Sequence, residues 1–323
     1  MIPHQPKHLN FLFLGGAKRV AMARLIKKAC NSRGLECNIT GYELSTHSAL
    51  SAEGDIIAGL RWDDERIYAD LDNICRERNI DIILPFVDRA VTVAVDFVAN
   101  HSTSGVFAPV SPRVDAEKMF DKCAAAVLFE NNKLPIPKTF QGSFFSYPLI
   151  AKPRFGSASK GIIEIDNQQQ LDEVLNDRSN YLIQERFDHR QEITVDCYVG
   201  IFDGSIALTS PRIRLEVNGG EVVRTITIDE EKIISLTKDA LRATGLRGAI
   251  TVQLIRDLDS GHLMIMEINP RLGGGAVASV NAGADLLGLI IDDALGLPLK
   301  QQRATAGVET VRYLADVIFY PEK

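Results

Sequence analysis

The chain has 323 residues, 46% of them hydrophobic and 24% charged, with a formal net charge of −6. These are the proportions of a folded globular protein large enough for two or three domains. The negative balance argues against a nucleic-acid binder, no run approaches the ~20 apolar residues of a membrane span, and Met1 to Lys7 lacks a signal-peptide layout. Five cysteines without a C-x-x-C pairing and six scattered histidines argue against a zinc centre or a disulfide framework, and a reducing cytoplasm fits.

In chain order, residues 9 to about 110 alternate between strand and helix patterns. Leu9 to Leu14 reads as a buried strand, and Gly15-Gly16 opens a helix with Ala21, Leu25 and Ile26 on its apolar stripe. Cys37 to Tyr42 and Asp81 to Pro85 read as further strands, with a helix near 64–78 between them. Strands spaced by helices indicate a parallel α/β sheet. Gly15-Gly16 lacks the third glycine of a dinucleotide fingerprint, so it is read as a tight turn that sets a helix N-terminus near a cleft. Pro109 to Pro112 marks a boundary, after which Asp115 is expected to cap a helix running to about Asn132. From Tyr147 the pattern changes to strands 147–152 and 161–165, a helix 168–176 and a strand 180–184. A mixed segment follows from 187 to 297, and the tail after Pro298 is too short for another domain.

Several constellations along this order carry chemistry. Lys122 lies on the 115–132 helix beside Asp121; a lone helical lysine is usually a solvated charge. Lys152 ends a strand and precedes a loop of small residues, Gly156, Ser157, Ser159 and Gly161 among them. Such a loop offers backbone N–H groups and hydroxyls to phosphates, and a lysine at its base holds a phosphate as a point charge. A P-loop is excluded because Lys160 precedes the second glycine and a strand follows. A plain hairpin loop stays open. Gln184, Glu185 and Phe187 leave a strand into a connector, with Glu192 seven residues past Glu185. Carboxylates there suit the adenine amino group or ribose hydroxyls, and Phe187 suits the base, although alone they read as surface residues. Arg212, Arg214 and Arg224 bracket the turn Asn218-Gly219-Gly220 and serve either an anionic substrate or solubility.

The most informative stretch is Met264 to Arg271, followed by Leu272 and three glycines. Side chains alternate across a strand, so Glu267 and Asn269 share one face and Met266 and Ile268 are expected on the other. The preceding strand, Ala249 to Asp257, closes a hairpin at Asp259 and Ser260 that sets Gln253 opposite Glu267 or within one residue of it. Oxygen donors so placed, with the Arg271 guanidinium just beyond, suit a hard metal carrying phosphate, and a hairpin with a polar outer face is the alternative for this stretch taken alone.

Taken in order, the Asp121-Lys122 helix, the segment from Tyr147 to Gly161, Gln184-Glu185 with Glu192, and the set Gln253, Glu267, Asn269 and Arg271 resemble the ATP-grasp superfamily. The resemblance covers about residues 9 to 300, and Glu267 to Arg271 with its hairpin looks most like one ATP-grasp unit of the carbamoyl phosphate synthetase large subunit. The chain departs from that subunit by carrying one unit, no allosteric domain, and Lys122 where the subunit has arginine. A stand-alone carboxylate–amine ligase is therefore what the resemblance implies. The implied fold is α/β, becoming α+β in the C-terminal part: a Rossmann-like parallel domain over 1–112, a linker helix and small lid subdomain over 113–186, and a C-terminal subdomain with the metal site over 187–323.

The implied chemistry is ADP-forming. A carboxylate takes the γ-phosphate of ATP to give an acyl phosphate, and an amine or similar nucleophile then displaces phosphate. The resemblance assigns Lys122, Lys152, Gly156, Ser157, Ser159, Gly161, Gln184, Glu185, Phe187 and Glu192 to ATP, and Gln253, Glu267 and Asn269 to two Mg²⁺ (or Mn²⁺) ions. Glu267, Asn269 and Arg271 are assigned to catalysis, and Arg212, Arg214 and Gly274 to the substrate. The implied partners are a small carboxylate and an amine, with neither nucleic acid nor membrane, and base rates favour a homodimer. A kinase on the same fold, a carbamoyl-phosphate-synthetase-like protein acting on a small carboxylate, and a non-catalytic nucleotide binder are the alternatives.

Overall fold

The computed structural model describes residues 6–103, 105–142, 146–156 and 160–320. The first sheet is parallel: β1 (His8–Leu14), β2 (Glu36–Glu43), β3 (Asp55–Ala58) and β4 (Ile82–Pro85) lie in the order β3-β2-β1-β4. Helix α1 (Val20–Asn31) crosses from β1 to β2 and α2 (Ile67–Glu77) from β3 to β4, and α3 (Asp88–Asp96) follows β4. β1 reads as nearly continuous apolar sequence because both of its faces are covered. The buried stripe of α1 is Met22, Ala23, Ile26, Ala29 and Cys30; Ala21, expected on it, is exposed. The strand order reverses between β1 and β4, so a crevice opens there at the carboxyl ends of the strands, where open α/β sheets bind ligands.

The single helix expected over 115–132 is two. α4 (Arg113–Phe120) ends at Asp121, and α5 (Lys122–Asn131) starts beyond it. Asp115 lies inside the first turn of α4, whereas Asp121 caps α5 by accepting from the backbone N–H of Cys123 and Ala124. An aspartate whose carboxylate takes local N–H groups starts a new helix in preference to continuing the old one.

Next comes a three-stranded antiparallel sheet, β6-β5-β7, of β5 (Leu149–Pro153), β6 (Ile163–Ile165) and β7 (Tyr181–Glu185), with α6 (Gln168–Leu175) between β6 and β7. The largest sheet follows in the order β12-β11-β8-β9-β10-β13, comprising β8 (Arg190–Val199), β9 (Ile206–Asn218), β10 (Glu221–Thr227), β11 (Gly248–Asp257), β12 (Leu263–Asn269) and β13 (Glu309–Val311). Helix α7 (Glu231–Thr244) joins β10 to β11, and α8 (Ala276–Asn281) and α9 (Leu286–Ala294) follow β12. Gly219 and Gly220, both at positive φ, close the β9–β10 hairpin, the geometry a two-residue turn requires.

Two cores position the site. Ile193, Val195, Ile250, Val252, Leu254, Ile265 and Ile268 pack with Ile233 and Leu241 of α7 and Phe129 of α5, fixing one face of the large sheet. Phe11, Phe13, Met22 and Ile26 pack with Leu286, Leu287 and Ile290 of α9, and with Tyr198 and Leu208. Arg33 reinforces that junction with two hydrogen bonds to Asp292, at 2.7 and 2.9 Å. The first sheet is thereby held against the end of the large one.

Candidate active site

Alternation divides the large sheet. The odd positions Ile193, Val195 and Cys197 of β8, with Ile250, Val252 and Leu254 of β11, belong to the core, which leaves Glu192, Thr194 and Asp196 and Thr251 and Gln253 on the opposite face. Register then builds two rungs across four strands. Glu267 opposes Gln253, Gln253 opposes Thr194, and Thr194 opposes Arg212. One step along, Asn269 opposes Thr251, Thr251 opposes Asp196, and Asp196 opposes Ser210. Asn269 Nδ2 donates to Glu267 Oε1 at 3.0 Å, so the two oxygen-bearing side chains expected to share a face do meet.

Met266 departs from its expected place. The β11–β12 pairing slips between Gln253 and Leu254: Gln253 faces Glu267, while Leu254 faces Ile265. Met266 is the extra residue of a β-bulge, so Ile265 and Ile268, three apart, both reach the core, and Met266 joins Glu267 on the cleft wall. A bulge at this point re-aims Glu267 without disturbing the packing beneath it.

Above this face lies a cleft of about 1010 Å³, walled on the other side by β5, β6 and β7. Lys122, Lys152, Gly156, Glu185, Phe187, Glu192, Arg214, Gln253 and Glu267 all line it. Lys152 Nζ donates to Gln184 Oε1 at 3.2 Å. Burial pushes the Lys152 ammonium down to about 8, with Glu267 opposing the shift and the Lys122 and Arg190 charges adding to it. Gln184, expected at the adenine edge, is buried, its amide divided between Lys152 and the carbonyl of Pro137. It therefore orients Lys152 from behind the wall. Glu185 Oε1 accepts from the backbone N–H of Lys138 at 2.8 Å.

Lys122, at the first position of α5, donates its Nζ to Gly156 O at 2.6 Å and its backbone N–H to Arg154 O at 3.0 Å. Arg154 in turn grips the Asp121 carboxylate at 2.6 and 2.9 Å. The residue that starts α5 thus also anchors the root of the glycine-bearing loop. Gly156 and Gly161 both take positive φ. Ser157 and Ser159 lie outside the described residues.

The arginines divide by environment. Arg214 floors the cleft, donating to Glu192 at 3.0 Å, Gln253 at 3.2 Å and Gly220 O at 3.1 Å; burial lowers its pKa and Glu192 opposes that. Arg212 is buried against Asp196 at 2.9 Å, and Ser279 shares that carboxylate at 2.7 Å. Among the described residues its Nη1 has no hydrogen-bond partner. Arg224 is on the surface with Glu309. Arg271, expected to reach a phosphoryl group, donates its Nε to Asp88 at 2.7 Å at the start of α3. A Cβ added at Gly275 would lie 2.4 Å from Arg212 Nη2, and one at Gly274 would lie 2.6 Å from Arg19 Nη1. The loop after β12 can lie on these guanidiniums only because those positions carry no side chain.

The donor set decides what metal would suit it. Among the described residues no three His, Cys, Asp or Glu side chains gather as a metal cage. Glu267, Gln253 and Asn269 instead offer one carboxylate and two amide oxygens. Such a set fits a hard cation that arrives with the phosphates of a nucleotide, as Mg²⁺ commonly does.

Known proteins share parts of this chain's sequence and its fold. The family model described as "ATP-grasp in the biosynthetic pathway with Ter operon" matches residues 177–317. D-alanine–D-alanine ligase B of Pseudomonas putida is 24% identical over 173 residues, 50% of this chain and 54% of the relative. The chain thus spans about half the length of that relative. The carbamoyl phosphate synthase large chain of Clostridium botulinum is 24% identical over 272 residues, 76% of this chain and 24% of the relative. The biotin carboxylase domain of the Hydrogenobacter thermophilus 2-oxoglutarate carboxylase, solved with MgADP, superposes with a TM-score of 0.73 at 17% identity, covering 93% of this chain and 73% of that one. Residues 177–317 are therefore similar to an ATP-grasp family, and the chain as a whole has the ATP-grasp fold.

Three residues central to this region were not singled out in the sequence. Arg19 and Asp88 follow β1 and β4, and Arg312 follows β13 in the tail. The charged residues just past the ends of β1 and β4 carried a usable signal, since parallel sheets bind ligands at those ends. Arg312 carried none.

Proposed function

We propose that the chain is an ADP-forming ligase that activates a small carboxylate as an acyl phosphate and passes it to an amine or similar nucleophile. The observation that carries this reading is Glu267, opposed by Gln253 and hydrogen-bonded to Asn269, on the floor of a cleft whose facing wall presents Lys152 and Lys122. The division at residues 112 and 186 gives this reading a substrate-facing first unit, a lid and a floor.

Glu267, Gln253 and Asn269 would hold Mg²⁺ (or Mn²⁺), two ions by this reading, which would supply positive charge beside the transferring phosphoryl group. The protein's own groups do the rest. Lys152 and Lys122 hold the phosphates as point charges, and Glu185, Glu192 and Phe187 hold the nucleoside end. The substrate carboxylate attacks the γ-phosphorus; the bond to the β–γ bridging oxygen breaks and ADP leaves. The amine nitrogen then adds to the acyl carbon, the C–O bond to phosphate breaks, and the nitrogen loses a proton. Arg212, with an unpaired Nη1 beneath Gly275, suits the oxyanion of that tetrahedral stage better than Arg271, which Asp88 engages. The loop from Gly156 to Gly161 would keep water from the acyl phosphate.

The test is an ADP-release screen over paired carboxylates and amines with mass spectrometry of products. An amide formed in step with ADP and phosphate is expected. A stable phosphorylated alcohol would select the kinase alternative, and no ADP release with any pair would select a non-catalytic binder.

A further inference from the structure

We propose that Arg19, Arg271 and Arg312 form a second anion site around Gly274, which holds an additional carboxylate or phosphate group on the small substrate. The placing of that substrate rests on the ligase reading; the site itself does not.

Three distant segments bring the guanidiniums together. Arg19 comes from the turn after β1, Arg271 from the end of β12, and Arg312 from the residue after β13. Arg312 Nη2 donates to Gly274 O, and Arg19 Nη1 lies 2.6 Å from where a Gly274 Cβ would stand. Arg19 and Arg312 share one carboxylate, Glu221, at 3.5 and 3.1 Å, and its side chain is half-exposed. Arg271 has Asp88. Three cations therefore meet two carboxylates. Among the described residues, Arg19 makes one marginal side-chain hydrogen bond, and Arg271 engages only its Nε. Guanidiniums carry five N–H donors each, so most of these donors have no protein acceptor. Burial lowers the Arg19 pKa; Glu221 opposes this, while Arg312 and Arg271 push the same way, as expected where like charges crowd without a ligand.

The position suits a substrate. The cluster sits where the crevice between β1 and β4 meets the strand end that carries Glu267 and Asn269. Helices α1 and α3 start at that crevice, and their N-termini add favourable potential for an anion. Burial raises the Glu43 pKa, and the Gly16 and Ala17 backbone amides before Arg19 oppose that shift. Beyond Arg312 the tail continues over the first sheet, where the Phe319 ring lies 4.6 Å from that of His47. A carboxylate or a phosphate makes the same bidentate contacts with such donors, so both belong to one ligand class.

The experiment has two arms on the full chain. In the first, malonate and inorganic phosphate are titrated calorimetrically without nucleotide. Saturable binding is expected, and the tighter probe tells which group the site prefers. Arg19→Gln and Arg312→Gln should each weaken it about 10-fold or more, whereas Glu221→Gln, which removes a competing carboxylate, should tighten it about 3-fold. A merely structural cluster would show weakening in all three. In the second arm, ADP release with MgATP is compared for glutamate against glutamine and O-phosphoserine against serine as substrates. The acidic member of a pair should be preferred, and Arg19→Gln should erase the preference. Absence of saturable binding, or weaker binding in Glu221→Gln, would overturn the site. Anion binding with the expected variant pattern but no ligation would sink the ligase reading alone.

Discussion

The floor of the cleft and the crevice at Gly274 are both rich in arginine, yet they balance charge in opposite ways. On the floor, Arg214 is shared among Glu192, Gln253 and a carbonyl, and Arg212 is buried against Asp196 with one donor atom to spare. In the crevice, two guanidiniums share one half-exposed carboxylate. The floor is organised before a ligand arrives, because buried charges must be paired to be tolerated at all. The crevice keeps donors in reserve, and that difference separates residues that fix geometry from residues that wait for a partner.

Substitutions sharpen the contrast. The largest effect is expected on the floor at Glu267: Glu267→Gln keeps the shape but removes the carboxylate charge, and ADP formation should fall by about 10³-fold while circular dichroism stays unchanged. Turnover near wild type would break the assignment of the floor. Stability should divide the two arginine groups. Arg212→Met leaves Asp196 buried without its cation and should cost about 3–5 kcal/mol in urea melts, whereas Arg19→Gln removes a pair with a half-exposed partner and should cost about 1 kcal/mol or less. Equal losses would erase the distinction.

Lys152 should act mainly on the nucleotide. Lys152→Met is expected to raise the ATP dissociation constant by about 10- to 100-fold, as for loss of a charge-assisted contact. Its pKa of about 8 sets the pH dependence. Below that value the ammonium is charged and holds phosphate; as pH rises through it, the free protein loses the charge and ATP affinity should fall. ATP favours the charged form, so binding near pH 8 should take up a proton, which calorimetry in buffers of differing ionisation enthalpy would register. Uptake should vanish at pH 6.5 and in Lys152→Met. The smallest signal is a near-absence: Mg²⁺ titrated alone should give almost no heat, since one carboxylate and two amides hold it weakly without phosphate. Tight metal binding without nucleotide would show that the floor is a preformed metal cage.

What the sequence made legible follows from the range of the contacts involved. The Gln253–Glu267 opposition, the shared face of Glu267 and Asn269, and the pairing of a lysine strand with a glycine loop are all set within hairpins, where spacing and alternation suffice. Met266 was misplaced because a bulge breaks period two and leaves no mark in composition. The break at Asp121 was readable in principle, but its second role, gripping Arg154 more than thirty residues later, was not. Arg271 was expected at phosphate, and its partner Asp88 lies 183 residues away. Arg19 and Arg312 meet only through the docking of the first sheet against the end of the large one. No local pattern encodes that encounter.

The central claim is that the cleft transfers the γ-phosphate to a carboxylate, and hydroxylamine tests it most directly. With MgATP, a panel of small carboxylates and hydroxylamine in place of the amine, the protein should release ADP and give the matching hydroxamate in equal amounts, and Glu267→Gln should give neither. Hydroxamate accompanied by AMP and pyrophosphate, or ADP accompanied by a phosphorylated hydroxyl compound and no hydroxamate, would contradict it.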